Sequence, residues 1–193
     1  AIVAGCIYSC KPFSLSGRPF FDFLTNAFEA GLAFGAGWCI VGGQLSDPSL
    51  YKYVIPYFLL MCAGSISSTI PDIPGDKAHG KITTAVCFGP KIAHCLALLS
   101  LIIVIPVSLL LSNDYLALSC AVLVIPTYIP YLINAKKAVN AELTYKAGGA
   151  ITMLASAVVA PLLFPAGFFV FFITWLYFRK RYNIAYPSLN RNP

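Results

Sequence analysis

The sequence predicts an all-α, polytopic integral membrane protein, a helical bundle, on three observations. Of its 193 residues, 59% are hydrophobic and only 10% are charged, which is too apolar for an ordinary soluble domain. Its long runs are apolar on every side and approach the roughly 20 residues a helix needs to cross hydrocarbon. Strands of a membrane barrel would instead alternate apolar and polar residues. Finally, the charges gather in short loops between these runs.

The elements follow in order. Residues 1–8 read as the end of a helix, and a polar loop with Lys11, Arg18 and Pro19 follows. Residues 23–43, rich in Gly and Ala, form a span. Residues 52–70 form the next, after an Asp47-Pro48 turn. The loop 71–90 holds a dense charged motif. Residues 91–111 and 115–134 are two spans joined by Ser112-Asn113-Asp114. The loop 135–146 carries Lys136, Lys137, Glu142 and Lys146. Residues 147–163 and 166–178 form a closing pair around Pro165, before Arg179-Lys180-Arg181. Pro56, Pro106, Pro126 and Pro130 fall inside spans, where proline is tolerated and usually kinks the helix. The whole, 1–193, reads as one transmembrane domain. Ala1 opens directly into an apolar run, with no initiator Met and no basic flank. The expectation is an N-terminally truncated chain.

Charge gives the topology. If successive spans alternate direction, the loops 9–22, 71–90 and 135–146 share one side with the tail. That side holds twelve of the thirteen Lys and Arg residues, and only Lys52 lies opposite. Cytoplasmic loops carry such an excess, so the motif loop is expected in the cytoplasm. The net charge of +6 therefore reports topology. No aromatic-basic stripe points to nucleic acid. The seven cysteines form no CxxC pair and read as small buried hydrophobes.

The motif is Asp72-Ile-Pro-Gly-Asp76-Lys77-Ala-His-Gly80-Lys81-Ile-Thr83-Thr84. Charge at the edge of hydrocarbon is costly unless paired or hydrated, so it usually serves chemistry. Asp72 and Asp76 are four apart and share a face of a helix. Two such carboxylates repel unless a cation lies between them or one is protonated. Hard oxygen donors suit Mg²⁺, which keeps waters and bridges one or two carboxylates to substrate phosphates. Lys77 and Lys81 repeat the spacing and suit a diphosphate as it departs. Pro74 fits a first helical turn, and Gly75 and Gly80 permit a tight turn. A bland alternative stands beside this: a solvated cytoplasmic loop. Glu29 and Asn26 share a face of an apolar helix, where Glu29 is either functional or paired with a neighbour. His79 reads as a hydrated loop residue, and His94 as packing or interface.

The segment from Asp72 to Gly89, DIPGDKAHGKITTAVCFG, resembles the second aspartate-rich motif of the UbiA-type intramembrane prenyltransferases. Asp72, Asp76, Gly80, Lys81, Thr83 or Thr84, Phe88 and Gly89 fit it in order. The stretch from Tyr8 through Gly17-Arg18-Pro19 resembles the family's loop after its third helix, and Asp22 and Asn26 match the opening of the next helix. The resemblance implies about seven of nine helices around a central, lipid-open cavity. It implies Mg²⁺-dependent transfer of a prenyl chain from an isoprenoid diphosphate to an aromatic or lipid-alcohol acceptor within the membrane. Asp72 and Asp76 would be catalytic and bind Mg²⁺. Lys77 and Lys81 would contact diphosphate, Tyr8 would face the reacting end, and Asn26 would support the head-group site. The chain departs from the family in two places. The family's first aspartate-rich motif has no counterpart in these residues, and Ser14 and Ser16 stand where Arg and Lys are frequent. A non-catalytic transporter or degenerate scaffold that retained the loop is the alternative.

Overall fold

The structure is a computed structural model and describes residues 2–10, 12–134, 144, 146 and 163–182. Among these residues every regular element is helical: α1 (Ile2–Ser9), a 3-10 turn (Leu15–Gly17), α2 (Phe21–Ile40), α3 (Pro48–Thr69), α4 (Ile73–Ala78), α5 (Thr84–Phe88), α6 (Pro90–Leu110), α7 (Asp114–Ser119), α8 (Ile129–Ile133) and α9 (Leu163–Tyr182). Three helical stretches among them are long and apolar enough to cross a membrane: Pro48–Thr69, Pro90–Leu110 and Asp114–Ile133. The predicted span 23–43 is present as α2 but is not one of those three. Asp22, Asn26 and Glu29 dilute its apolar character. Lys11, most of the loop 135–146 and the predicted span 147–163 before Leu163 lie outside the described residues.

Local chemistry explains where the helices begin and end. α3 starts at Pro48, earlier than the expected 52. Asp47 Oδ1 accepts from the Ser49 amide at 2.8 Å, and proline at the first helical position loses no hydrogen bond. α2 closes in a Schellman turn: the Gly43 amide donates to Trp38 carbonyl (3.0 Å) and Gly42 to Cys39 (3.1 Å). The Asp114–Ile133 span is not a uniform α-helix. It passes through a π turn at Cys120–Val124 and a 3-10 turn at Ile125–Tyr128. Pro126 lacks an amide and its ring would strike the carbonyl one turn back, so the ladder re-registers there. Pro56 and Pro106 stay inside regular α-helix. Pro165, expected as a break, lies within α9, as the third residue of the described helix.

α3 is central, packing against α2 on one side and α6 on the other, while α5 touches both α3 and α6. The contact faces are small: Ala63, Ala93 and Ala97 are fully buried beside Leu101 and Val104. Small side chains let membrane helices approach closely, because packing rather than hydrophobic exclusion holds them together in lipid. Only a third of each candidate span's most apolar window is buried within the fold. Leu99, Ile102 and Leu109 of α6 are apolar and exposed. His94 is buried in this core. Its Nε2 donates to the Tyr128 carbonyl at 3.0 Å, and its ring lies 4.4 Å from that of Tyr131. The expectation of packing therefore fits it.

Candidate functional site

The charged motif folds as one short helix and a turn. Asp72 occupies the N-cap position of α4, and the Asp76 amide donates to its carbonyl at 2.8 Å. The two aspartates are thus one helical turn apart on one face. The Asp72 side chain makes no capping hydrogen bond and is exposed. Asp76 is half-buried, and its Oδ2 accepts from Thr83 Oγ1 at 3.3 Å. Among the described residues no ion pair neutralises either carboxylate.

A second Schellman turn ends α4. The Lys81 amide donates to the Asp76 carbonyl (2.9 Å) and the Gly80 amide to Lys77 (3.2 Å). This turn requires a left-handed residue at Gly80, whose φ is 70°. The D-x-x-x-D-x-x-x-G-K spacing therefore has a backbone reason: it returns the chain so that Lys81 follows directly beside Asp76. Thr83 then caps α5, its Oγ1 accepting from the Val86 amide.

The loop before α2 docks on this turn. The Ile82 amide donates to the Gly17 carbonyl at 3.2 Å. The Lys81 stem lies over Gly17, with Cγ 3.6 Å from where a β-carbon would stand. Asp22, in the first turn of α2, is 2% exposed. Its Oδ1 accepts from Thr84 Oγ1 at 2.6 Å and its Oδ2 from the Thr84 amide at 2.7 Å. The Phe20 amide in turn donates to Thr84 Oγ1 at 2.8 Å. Phe20 itself has φ 67° and ψ −41°, a conformation costing a bulky residue about 1–3 kcal/mol. Its ring contacts Phe88 at 5.3 Å and Phe23 at 6.2 Å, which helps hold it there.

Tyr8 and Asn26 form a separate pair. Asn26 Nδ2 donates to the Tyr8 hydroxyl oxygen at 3.3 Å, leaving the phenolic proton for another acceptor. Both are half-buried. Among the described residues no hydrogen bond joins this pair to Asp72 or Asp76. The structure thus brings Asp72, Asp76 and Lys81 into one turn and leaves Lys77 exposed at the end of α4. Asn26 stands one helical turn beyond Asp22 on α2. Sequence reasoning gave Asp22 no role of its own, because its partner Thr84 lies 62 residues away. Its place in the first turn of a helix is the one local hint. Among the described residues Glu29 Oε1 is buried with no hydrogen-bond partner. His79 is exposed, as expected, its Nδ1 2.8 Å from the Gly75 carbonyl.

The donor set fits a hard divalent ion. Among the described residues no three His, Cys, Asp or Glu side chains converge on a common point. Mg²⁺ does not need such a cage, since it takes one or two carboxylates and fills its shell with water and phosphate oxygens. Further along the α2–α3 pair is an apolar groove of about 600 Å³, lined by Phe28, Gly31, Gly35, Val54 and Phe58 among others. Phe28 is six residues beyond Asp22, which is about 9 Å along a helix.

A comparison with curated proteins finds no match, and neither does a comparison with solved structures. Among protein-family models, the UbiA prenyltransferase family matches residues 1–147, a stretch that contains both the Tyr8 loop and the aspartate-rich turn. Members of that family are helical membrane prenyltransferases and are generally Mg²⁺-dependent. With three quarters of its length so matched, and the motif residues folded into one docked turn, the chain belongs to the UbiA prenyltransferase family.

Proposed function

We propose that this protein transfers a polyprenyl group from an isoprenoid diphosphate to an aromatic or lipid-alcohol acceptor, in the membrane and with Mg²⁺. The single observation that supports this most is the α4 turn. It sets two carboxylates, unpaired among the described residues, one helical turn apart and brings Lys81 directly after them. Asp72 and Asp76 are the residues to hold Mg²⁺, which when bound offsets negative charge building on the diphosphate. Lys77 and Lys81 hold the diphosphate oxygens as the allylic carbon–oxygen bond breaks and its electron pair moves to the leaving group. Tyr8, its oxygen engaged by Asn26, offers its proton near the reacting end. The acceptor forms the new bond to the prenyl carbon and loses a proton to solvent. The groove between α2 and α3 offers apolar room of the kind a prenyl tail needs.

The test is transfer of a labelled prenyl diphosphate by the membrane-embedded protein. Asp72→Asn and Asp76→Asn are each expected to lower kcat/KM by about a hundredfold or more, in line with losing one stabiliser of transition-state charge. Chelating Mg²⁺ is expected to abolish wild-type transfer. Transfer that survives both substitutions together refutes the assigned role.

A further inference from the structure

We propose that the buried carboxylate of Asp22 is a positioning residue that pins the aspartate-rich turn to the loop before α2, so that diphosphate binding depends on it. The proposal rests on the prenyltransferase reading for its consequence and on independent geometry for the tether. Asp22 does not serve its own helix: no bond joins its carboxylate to an α2 amide, and both its oxygens accept from Thr84. Thr84 is fully buried and opens α5. Among the described residues no cation pairs with the Asp22 carboxylate, and a carboxylate so withdrawn from water is retained only where its hydrogen bonds compensate. Here two short ones do, and they run between segments 62 residues apart.

The rest of the junction depends on the same clamp. Thr84 Oγ1, oriented by its donation to Asp22, accepts from the Phe20 amide and so holds that residue's strained backbone. On the far side of Thr84, the Ile82 amide meets the Gly17 carbonyl, and Lys81 lies across Gly17. Removing the carboxylate leaves the Thr84 amide and hydroxyl buried without acceptors. The strand of loop from Lys81 to Thr83, which also holds Asp76 through Thr83 Oγ1, then loses its anchor. Asp22 touches no reacting atom; it acts through Thr84.

The experiment uses the full-length protein in lipid nanodiscs, with Mg²⁺ and inorganic pyrophosphate as the titrated probe and amide hydrogen exchange as a second readout. Asp22→Asn and Thr84→Val are expected to weaken pyrophosphate binding about tenfold, near 1.4 kcal/mol. Both should speed exchange across residues 81–86 and leave α3 and α6 as protected as in wild type. Thr84→Ser, which keeps the hydroxyl, should restore affinity relative to Thr84→Val. In transfer assays Asp22→Asn should raise KM for the diphosphate far more than it lowers kcat. Unchanged loop exchange in Asp22→Asn overturns the tether. So does faster exchange throughout α3 and α6, which marks a merely structural residue. Failure of the wild-type protein to bind pyrophosphate overturns the stated consequence. Binding by wild type without any prenyl transfer sinks the enzyme reading alone and leaves the tether to be judged on exchange and affinity.

Discussion

Gly80 sets the geometry between the acidic turn and Lys81. Its φ of 70° is left-handed, and a β-carbon there would meet nothing within 4 Å. Any penalty for a larger residue is therefore conformational and not steric. Gly80→Ala should cost about 1–2 kcal/mol, the cost of a left-handed L-residue. That loss should appear as a lower thermal midpoint of the detergent-solubilised protein and weaker pyrophosphate binding. Gly80→Asn should recover part of the loss, since asparagine is the next best residue at this position. Equal behaviour of the Ala and Asn variants would remove the backbone explanation for the motif's glycine. Asp72 and Asp76 differ in kind from Gly80. Their substitution removes charge from a turn that still folds, so it should spare stability and affect Mg²⁺-dependent steps.

At the scale of elements, α2, α4 and α6 each end in a Schellman turn, and one of these closures uses an unfavourable residue. The turn between α6 and α7 is again a Schellman motif: the Asn113 amide donates to Ser108 (2.8 Å) and Ser112 to Leu109 (3.0 Å). Ser112 fills the left-handed position with φ 56°, where glycine is the usual occupant. Ser112→Gly relieves that strain but adds freedom to the unfolded chain. The net expectation is a gain of up to about 1 kcal/mol, seen as a higher thermal midpoint with unchanged pyrophosphate affinity. The elements that form the site share a logic. α4 and α5 are too short to be stable alone. Asp22 at the start of α2 and Phe20 just before it engage α5, and Gly17 on the neighbouring loop engages the turn between α4 and α5.

For the whole molecule, the distribution of charge predicts that the aspartate-rich turn faces the cytoplasm. Single-cysteine variants test this directly. Cys87 is exposed in α5, and Ser46, in the loop between α2 and α3, is exposed at the other end of those helices. A membrane-impermeant thiol reagent should label a protein retaining only Cys87 in inside-out vesicles and not in right-side-out ones. A variant with Ser46→Cys as its sole cysteine should show the reverse. Labelling of both from the same side would overturn the alternating arrangement of α2 and α3.

The helical membrane class, most span positions and the pairing of Asp72 with Asp76 follow from hydropathy, proline placement and four-residue spacing, all of which act between near neighbours in the chain. α3 starts before its expected bound because the Asp47 cap and Pro48 set its first turn, while α2 starts early without a side-chain cap and α9 runs through Pro165. The break of regular helix at Pro126 took a form that spacing could not specify, a π turn passing into a 3-10 turn. Only the tertiary structure decided that Asp22 closes on Thr84, that Gly17 underlies Lys81, and that Tyr8 and Asn26 bond to each other apart from the aspartates. Hydrogen bonds between distant segments leave no periodic trace in a sequence. They exist because packing α2 beside α3 brings two loops together, and the buried carboxylate is satisfied only in that arrangement.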